Sequence, residues 1–164
     1  MFLLQVDRPS RDIVLRHWGD TSVTPLVADS SHAEQIPELS PDGRWLAYAS
    51  DESGRSEVYV RPFPKVGDGK WQVSRSGGSG PRWAHSGREL FYRNFGDTLM
   101  AVAVVPGASF VAGREVALFD VRRFANRFFT WFYDVAPDDK RFLYLRPVSQ
   151  PRPAGPDKLV QITN

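Results

Sequence analysis

Leu39-Ser40-Pro41-Asp42-Gly43-Arg44-Trp45-Leu46-Ala47-Tyr48 reads as the end of one strand, a tight turn and the start of a second strand. Pro41 presets φ for the first corner of the turn, and the Asp42 carboxylate suits nearby backbone N–H groups. Gly43 supplies the positive φ that brings the chain back antiparallel. Trp45 to Tyr48 then form an apolar, aromatic run of strand length.

The stretch recurs twice. Its second copy is Trp83-Ala84-His85-Ser86-Gly87-Arg88-Glu89-Leu90-Phe91-Tyr92, and its third is Val135-Ala136-Pro137-Asp138-Asp139-Lys140-Arg141-Phe142-Leu143-Tyr144. Each copy opens on an apolar residue, carries a basic residue after the turn and closes on Tyr. The Gly43 position becomes Gly87 and then Asp139, and Asp is one of the few other residues that tolerate the left-handed region. On this reading glycine at 139 is neutral or slightly stabilising. The spacings, 44 positions from Asp42 to Ser86 and 52 from Ser86 to Asp138, suit blades of about four short strands. The predicted fold is therefore all-β, a partial β-propeller. A β-sandwich with look-alike hairpins is the competing architecture. Recurrence of the turn with matching flanks at propeller spacing favours the propeller.

The blades fall at about residues 1–30, 33–75, 79–120 and 128–164 of a single propeller segment, 1–164. In the first, strands are expected over Phe2–Val6, Ile13–Leu15 and Pro25–Ala28. In the second they are Gln35–Leu39, Trp45–Ser50, Glu57–Arg61 and Trp71–Ser74. Ser76-Gly77-Gly78-Ser79-Gly80-Pro81 reads as the crossover to the third blade, with strands Arg82–Ala84, Glu89–Arg93, Leu99–Val105 and Val116–Phe119. Leu99–Val105 is apolar throughout, as expected of a strand buried on both faces. The last blade takes Phe129–Val135, Arg141–Arg146 and Leu159–Ile162, with Pro147–Pro156 as linker. No stretch has helical periodicity with caps. Because Phe2-Leu3-Leu4 matches Trp45-Leu46-Ala47, the first blade is expected to lack its inner strand, and the last to lack its outer one. An open arc follows, with two complete and two incomplete blades. Its free edges invite self-association or call for upstream sequence.

The Ser40-Pro41-Asp42-Gly43-Arg44 turn, its aromatic strand and the following Asp51-Glu52-Ser53-Gly54-Arg55-Ser56-Glu57-Val58-Tyr59-Val60 resemble the TolB-like (WD-repeat-like) propeller repeat. With Arg61-Pro62-Phe63-Pro64, Lys70-Trp71-Gln72-Val73-Ser74 and Glu89-Leu90-Phe91-Tyr92 added, the chain is similar to the C-terminal propellers of bacterial serine/threonine protein kinases. The resemblance implies a non-catalytic binding or scaffold module, the sensor or interaction part of a larger signalling protein with a protein or peptide partner. A parent like TolB or a membrane-anchored kinase would place it outside the cytoplasm. The alternative is the substrate-gating propeller of a prolyl-oligopeptidase-like peptidase whose catalytic domain lies elsewhere.

Composition agrees with small stacked sheets. Aromatic residues make up 13% of the 164, and thirteen Gly and thirteen Pro supply turns. The formal charge is only +2, with acids and bases interleaved, which argues for a solvated surface and no nucleic-acid footprint. There is no Cys, hence no disulfide and no thiolate chemistry. Met1–Val6 is ended too early by Asp7 and Arg8 for a signal peptide, and no apolar run reaches membrane-spanning length.

No motif carries catalysis, a cofactor or a metal. Ser76–Gly80 lacks the helix and Lys-Ser/Thr pair of a phosphate loop, and Pro81 spoils it as a nucleophile elbow. His17, His32 and His85 lie far apart. Asp51-Glu52 and Asp138-Asp139 read as water-screened hairpin tips. Arg122, Arg123 and Arg127, interleaved with Phe124, Phe128, Phe129 and Trp131, fit strand alternation with rings inside better than ligand or protein recognition, and better still than stacking on single-stranded nucleic acid. The residues singled out are therefore structural: Ser40, Pro41, Asp42, Gly43, Ser86, Gly87, Pro137, Asp138 and Asp139.

Overall fold

Strands joined by turns and short loops build a computed structural model, which describes residues 2–8, 10–124, 133–144 and 160–163, with side chains over 11–124 and 133–144. Four antiparallel sheets follow in chain order. The first holds β1 (Phe2–Arg8), β2 (Ser10–Arg16) and β3 (Thr24–Val27). The second holds β4 (Glu34–Leu39), β5 (Trp45–Ser50), β6 (Glu57–Pro62) and β7 (Trp71–Gln72). The third is β8 (Ser79–Trp83), β9 (Glu89–Arg93), β10 (Thr98–Val105) and β11 (Val111–Asp120), and the last is β12 (Tyr133–Val135), β13 (Arg141–Tyr144) and β14 (Val160–Thr163). Within each sheet, strands pair with their neighbours in sequence. The fold is all-β, a partial propeller of four blades with three, four, four and three strands among the described residues. A single 3-10 turn, Val66–Asp68, is the one helical element among the described residues.

The blades are held by three cores, one at each interface, and strand alternation assigns residues to them. Leu46, Tyr48 and Tyr59 meet Ile13 and Val27 of the first blade. Trp45, Ala47, Val58 and Val60, on the opposite face of the same sheet, meet Trp83, Leu90, Tyr92, Val102 and Val104 of the third. Phe91, Leu99 and Ala101 then meet Tyr133, Val135, Phe142 and Tyr144 of the fourth. β5 is buried at every position because a blade lies against each of its faces. Rings fill these interfaces edge to face, as Phe91 on Phe142 (4.9 Å, 87°) and Trp45 on Trp71 (5.7 Å, 85°) show.

Several expected boundaries need correction. β10 is not buried on both faces along its length: Ala103 and Val105 are exposed, because the fourth-blade core reaches only Leu99 and Ala101 on that face. β11 is ten residues long, not four, since Arg114 and Glu115 lie within an edge strand facing water. β2 begins at Ser10, three residues early. β8 begins at Ser79, so Gly80-Pro81 belongs to a strand rather than to the crossover. The crossover glycines answer to rings of the third blade. A Cβ on Gly77 would lie 2.4 Å from Phe95 Cδ2, and one on Gly78 would lie 2.6 Å from Ser74 Oγ and 3.1 Å from Tyr92 Cδ2. Of the expected strand Phe129–Val135 only Tyr133–Val135 is described. Arg127, Phe128, Phe129, Trp131 and the linker Pro147–Pro156 lie outside the described residues.

Candidate functional site

The inner strands of the middle blades carry the same irregularity. In β4, Gln35 pairs with Ala49 and Glu38 with Ala47, so Ile36-Pro37 together oppose Tyr48. In β8, Ser79 pairs with Arg93 and Arg82 with Phe91, so Gly80-Pro81 together oppose Tyr92. Both bulges begin on a positive φ, 54° at Ile36 and 65° at Gly80. A buried β-branched residue in that region costs about 1–2 kcal/mol, which glycine avoids at the equivalent place. A bulge re-aims the side chains that follow it, here Glu38 and Arg82.

Those two side chains join the blades. Arg82 Nη1 donates to Glu38 Oε2 at 3.0 Å, and Arg82 Nε reaches the Tyr133 carbonyl at 3.5 Å. The Trp83 N–H and indole N–H donate to Glu38 Oε1 (3.4 Å) and to the Glu38 carbonyl (3.3 Å). One polar chain thus runs along three successive inner strands. Burial is the largest influence on Glu38 and pushes its carboxyl up to about 7, although Arg82 and the Trp83 N–H pull the other way. Asp134 occupies the repeat position of Glu38 and Arg82 in β12 and is exposed, so the inner wall alternates acid, base, acid.

The repeat turns line up beside this wall. Ser40 N–H donates to Trp45 O and Gly43 N–H to Ser40 O, each at 2.8 Å. Ala84, Glu89 and Gly87 repeat the pattern, as do Ala136, Arg141 and Asp139. The φ values at Gly43, Gly87 and Asp139 are 69°, 68° and 57°. Ser40 Oγ, itself buried, accepts the N–H groups of Arg44 (3.2 Å) and Trp45 (3.0 Å) and donates to Asp42 Oδ1 at 2.6 Å. Nothing lies within 4 Å of a Cβ placed on Gly43, so a larger residue there pays only the backbone term. Gly43→Val should cost on the order of 1–2 kcal/mol, read from denaturation midpoints.

Asp139 is more than a tolerated stand-in for glycine. Its carboxylate crosses to the neighbouring turn and accepts the His85 N–H at 2.6 Å and the Ser86 N–H at 2.9 Å. Burial alone would raise its pKa, but the Ser86 and His85 N–H groups outweigh it and the net direction is down. Asp139→Gly is therefore expected to destabilise by about 1 kcal/mol, the loss of charge-assisted bonds exceeding the relief of backbone strain. That corrects the expectation from sequence, and a raised midpoint in the same denaturation series would restore it. A Cβ on Gly87 would sit 3.8 Å from Pro41 Cδ, so the three turns form one row. The row spends its acids internally: Asp42 on Ser40 and Arg44 N–H, Asp138 on Lys140 N–H and Arg141 (2.7 Å), Asp139 on the second turn. Arg88, Lys140, Pro41 and Pro137 are exposed along it.

The other residues singled out from sequence sit apart. His32 Nδ1 lies 3.1 Å from Asp29 and His85 Nδ1 lies 3.2 Å from Asp139. Asp51 is no idle hairpin tip, since it accepts Ala33 N–H at 2.8 Å, and Glu52 pairs with Lys70 at 2.6 Å. Arg122 is paired with Asp120. Among the described residues no three His, Asp or Glu side chains gather to hold a metal, and no helix is long and apolar enough to cross a membrane. The inner-wall pair escaped the sequence reading because its partners are 44 residues apart. The available signal was Pro37 and Pro81, which share one repeat position.

No protein-family profile matches the chain, and no curated protein matches it in sequence. Solved structures do. TolB from Acinetobacter baumannii superposes with a TM-score of 0.64 at 14% identity, over 90% of this chain and 35% of that one. A protein assigned as TolB in Agrobacterium tumefaciens gives 0.64 at 15%, over 87% and 48%. Oligogalacturonate lyase from Vibrio parahaemolyticus gives 0.56 at 14%, over 88% and 36%. The chain thus spans about a third to a half of the structures it matches. At such identities the likeness shows the fold, a TolB-like propeller arc.

Proposed function

We propose that this chain is a non-catalytic binding module, the sensor or protein-interaction propeller of a larger bacterial signalling protein of the membrane-anchored kinase type. The observation that carries the reading is the row of three turns. Its backbone groups and acids are satisfied within the row, and its exposed side chains are left to meet a partner. Loops held in place by a rigid sheet scaffold are where propellers bind. The chemistry of the parent protein belongs to another domain.

Two measurements test this. The chain alone should turn over neither peptide nor ATP, and turnover abolished by one point substitution within residues 11–144 would overturn the reading. The reading frame flanking residues 1–164 should encode kinase motifs and a membrane span upstream. A G-x-S-x-G element downstream would instead identify the gating propeller of a peptidase.

A further inference from the structure

A groove of about 600 Å³ runs between the outer strands of the second and third blades. Trp71 and Phe110 form its floor, with ring centroids 5.6 Å apart, and both rings pack on Trp45. Arg75 and Arg114 stand on its two sides, exposed, and neither guanidinium has a hydrogen bond or ion pair among the described residues. The groove's acid, Glu115, is already engaged by the Tyr92 hydroxyl at 2.9 Å. Gln72 turns its amide onto the Ser74 carbonyl at 2.8 Å. What the groove offers outward is therefore two positive forks.

Two backbone features add to this. Between the pairs Val102–Glu115 and Val104–Ala112, Gly113 and Arg114 together oppose Ala103. That bulge takes Arg114 out of regular alternation, as bulges do where a side chain is re-aimed. β7, along the other side, is the last strand of its sheet, and among the described residues no further strand pairs with its outer edge. A free strand edge accepts an extended peptide through main-chain hydrogen bonds. Nucleic acid would need faces on which to stack, and Phe110 is only 4% exposed.

We propose that this groove binds an extended acidic peptide segment of a protein partner, its carboxylates forked by Arg75 and Arg114 and its backbone laid along β7. The inference rests on the binding-module reading and gives it a second surface and a partner chemistry.

The test titrates the whole chain against a fluorescein-labelled, Asp- and Glu-rich peptide, with a Lys-rich peptide, a carboxylated oligosaccharide and single-stranded DNA in parallel. Arg75→Gln and Arg114→Gln should each weaken the acidic peptide about tenfold, and the pair together more, with affinity falling as salt rises. Arg88→Gln, on the row of turns, should leave it unchanged. An N-methylated version of the peptide should bind more weakly if its backbone pairs with β7. Unchanged affinity in the double variant, with its melting temperature kept, overturns the groove. So does preference for the oligosaccharide or DNA, or indifference to N-methylation. Loss on Arg88→Gln alone would move the acidic site to the turns, which sinks this inference but leaves the binding module standing.

Discussion

Glu57→Ala should lower the unfolding free energy by about 3–5 kcal/mol, among the largest effects of any polar substitution in the chain. The Glu57 side chain is wholly buried. Its carboxylate accepts the Ser74 hydroxyl, the Gly77 N–H at 2.9 Å and Arg55 Nε at 2.6 Å. Ser74 Oγ in turn accepts the Val58 N–H at 2.7 Å. One acid therefore ties β6 to the segment after β7 and to the crossover into the next blade. Arg55 is half exposed and water can replace its bond. The other two donors are buried, and each costs about 1–3 kcal/mol when left without an acceptor. Urea denaturation followed by tryptophan fluorescence reads the loss. Glu57→Gln keeps the shape and one acceptor and should lose less than half as much. A loss below about 1 kcal/mol for alanine would mean that the network holds little.

The second large effect depends on pH. Glu38 has a folded pKa of about 7 against 4.5 for the free side chain. Between those values the folded state holds a proton that the unfolded state has released. Stability from this group is thus fully present below about pH 4.5 and is lost as pH rises through 7. The difference corresponds to about 3 kcal/mol at most. The groups facing Glu38 are Arg82 of β8, whose charge lowers its pKa, and Asp134 of β12, whose charge raises it. Glu38→Gln should flatten the decline between pH 5 and pH 8, measured as chemical denaturation midpoints in a constant-ionic-strength series. The lowered carboxyls of Asp42, Asp138 and Asp139 act oppositely, and their stabilisation is lost as pH falls into the acid range. An unchanged slope in the Gln variant would show that Glu38 stays ionised in the fold.

The architecture was legible because its punctuation is local. Pro41, Asp42 and Gly43 suit a turn by their own chemistry, and Trp45–Ser50 and Glu89–Arg93 alternate between two interfaces in a way that needs no knowledge of the neighbours. The errors came where two distant segments decide together. Gly80-Pro81 looks like loop in isolation, and only pairing with Tyr92 makes it a bulge within β8. Asp139 looks like a worn glycine until the neighbouring turn presents its N–H groups. Glu38 and Arg82 read as ordinary solvated charges, because nothing short of the blade stacking brings them to 3.0 Å. The outer strand of the third blade was expected only over Val116–Phe119, whereas an exposed edge strand runs from Val111 to Asp120.

The two irregularities of β11 bear on how the chain behaves when crowded. A strand that templates ordered aggregation must present six or seven residues in step, as cross-β stacking requires. β11 is the longest strand among the described residues and borders water, with Val116 56% exposed. Its pairing with β10 slips once around Leu118 and again at Gly113-Arg114, so only Glu115 to Ala117 run in unbroken register between the slips. Three residues are too few to seed a growing sheet. β11 is therefore a poor template for fibril growth despite its length and exposure.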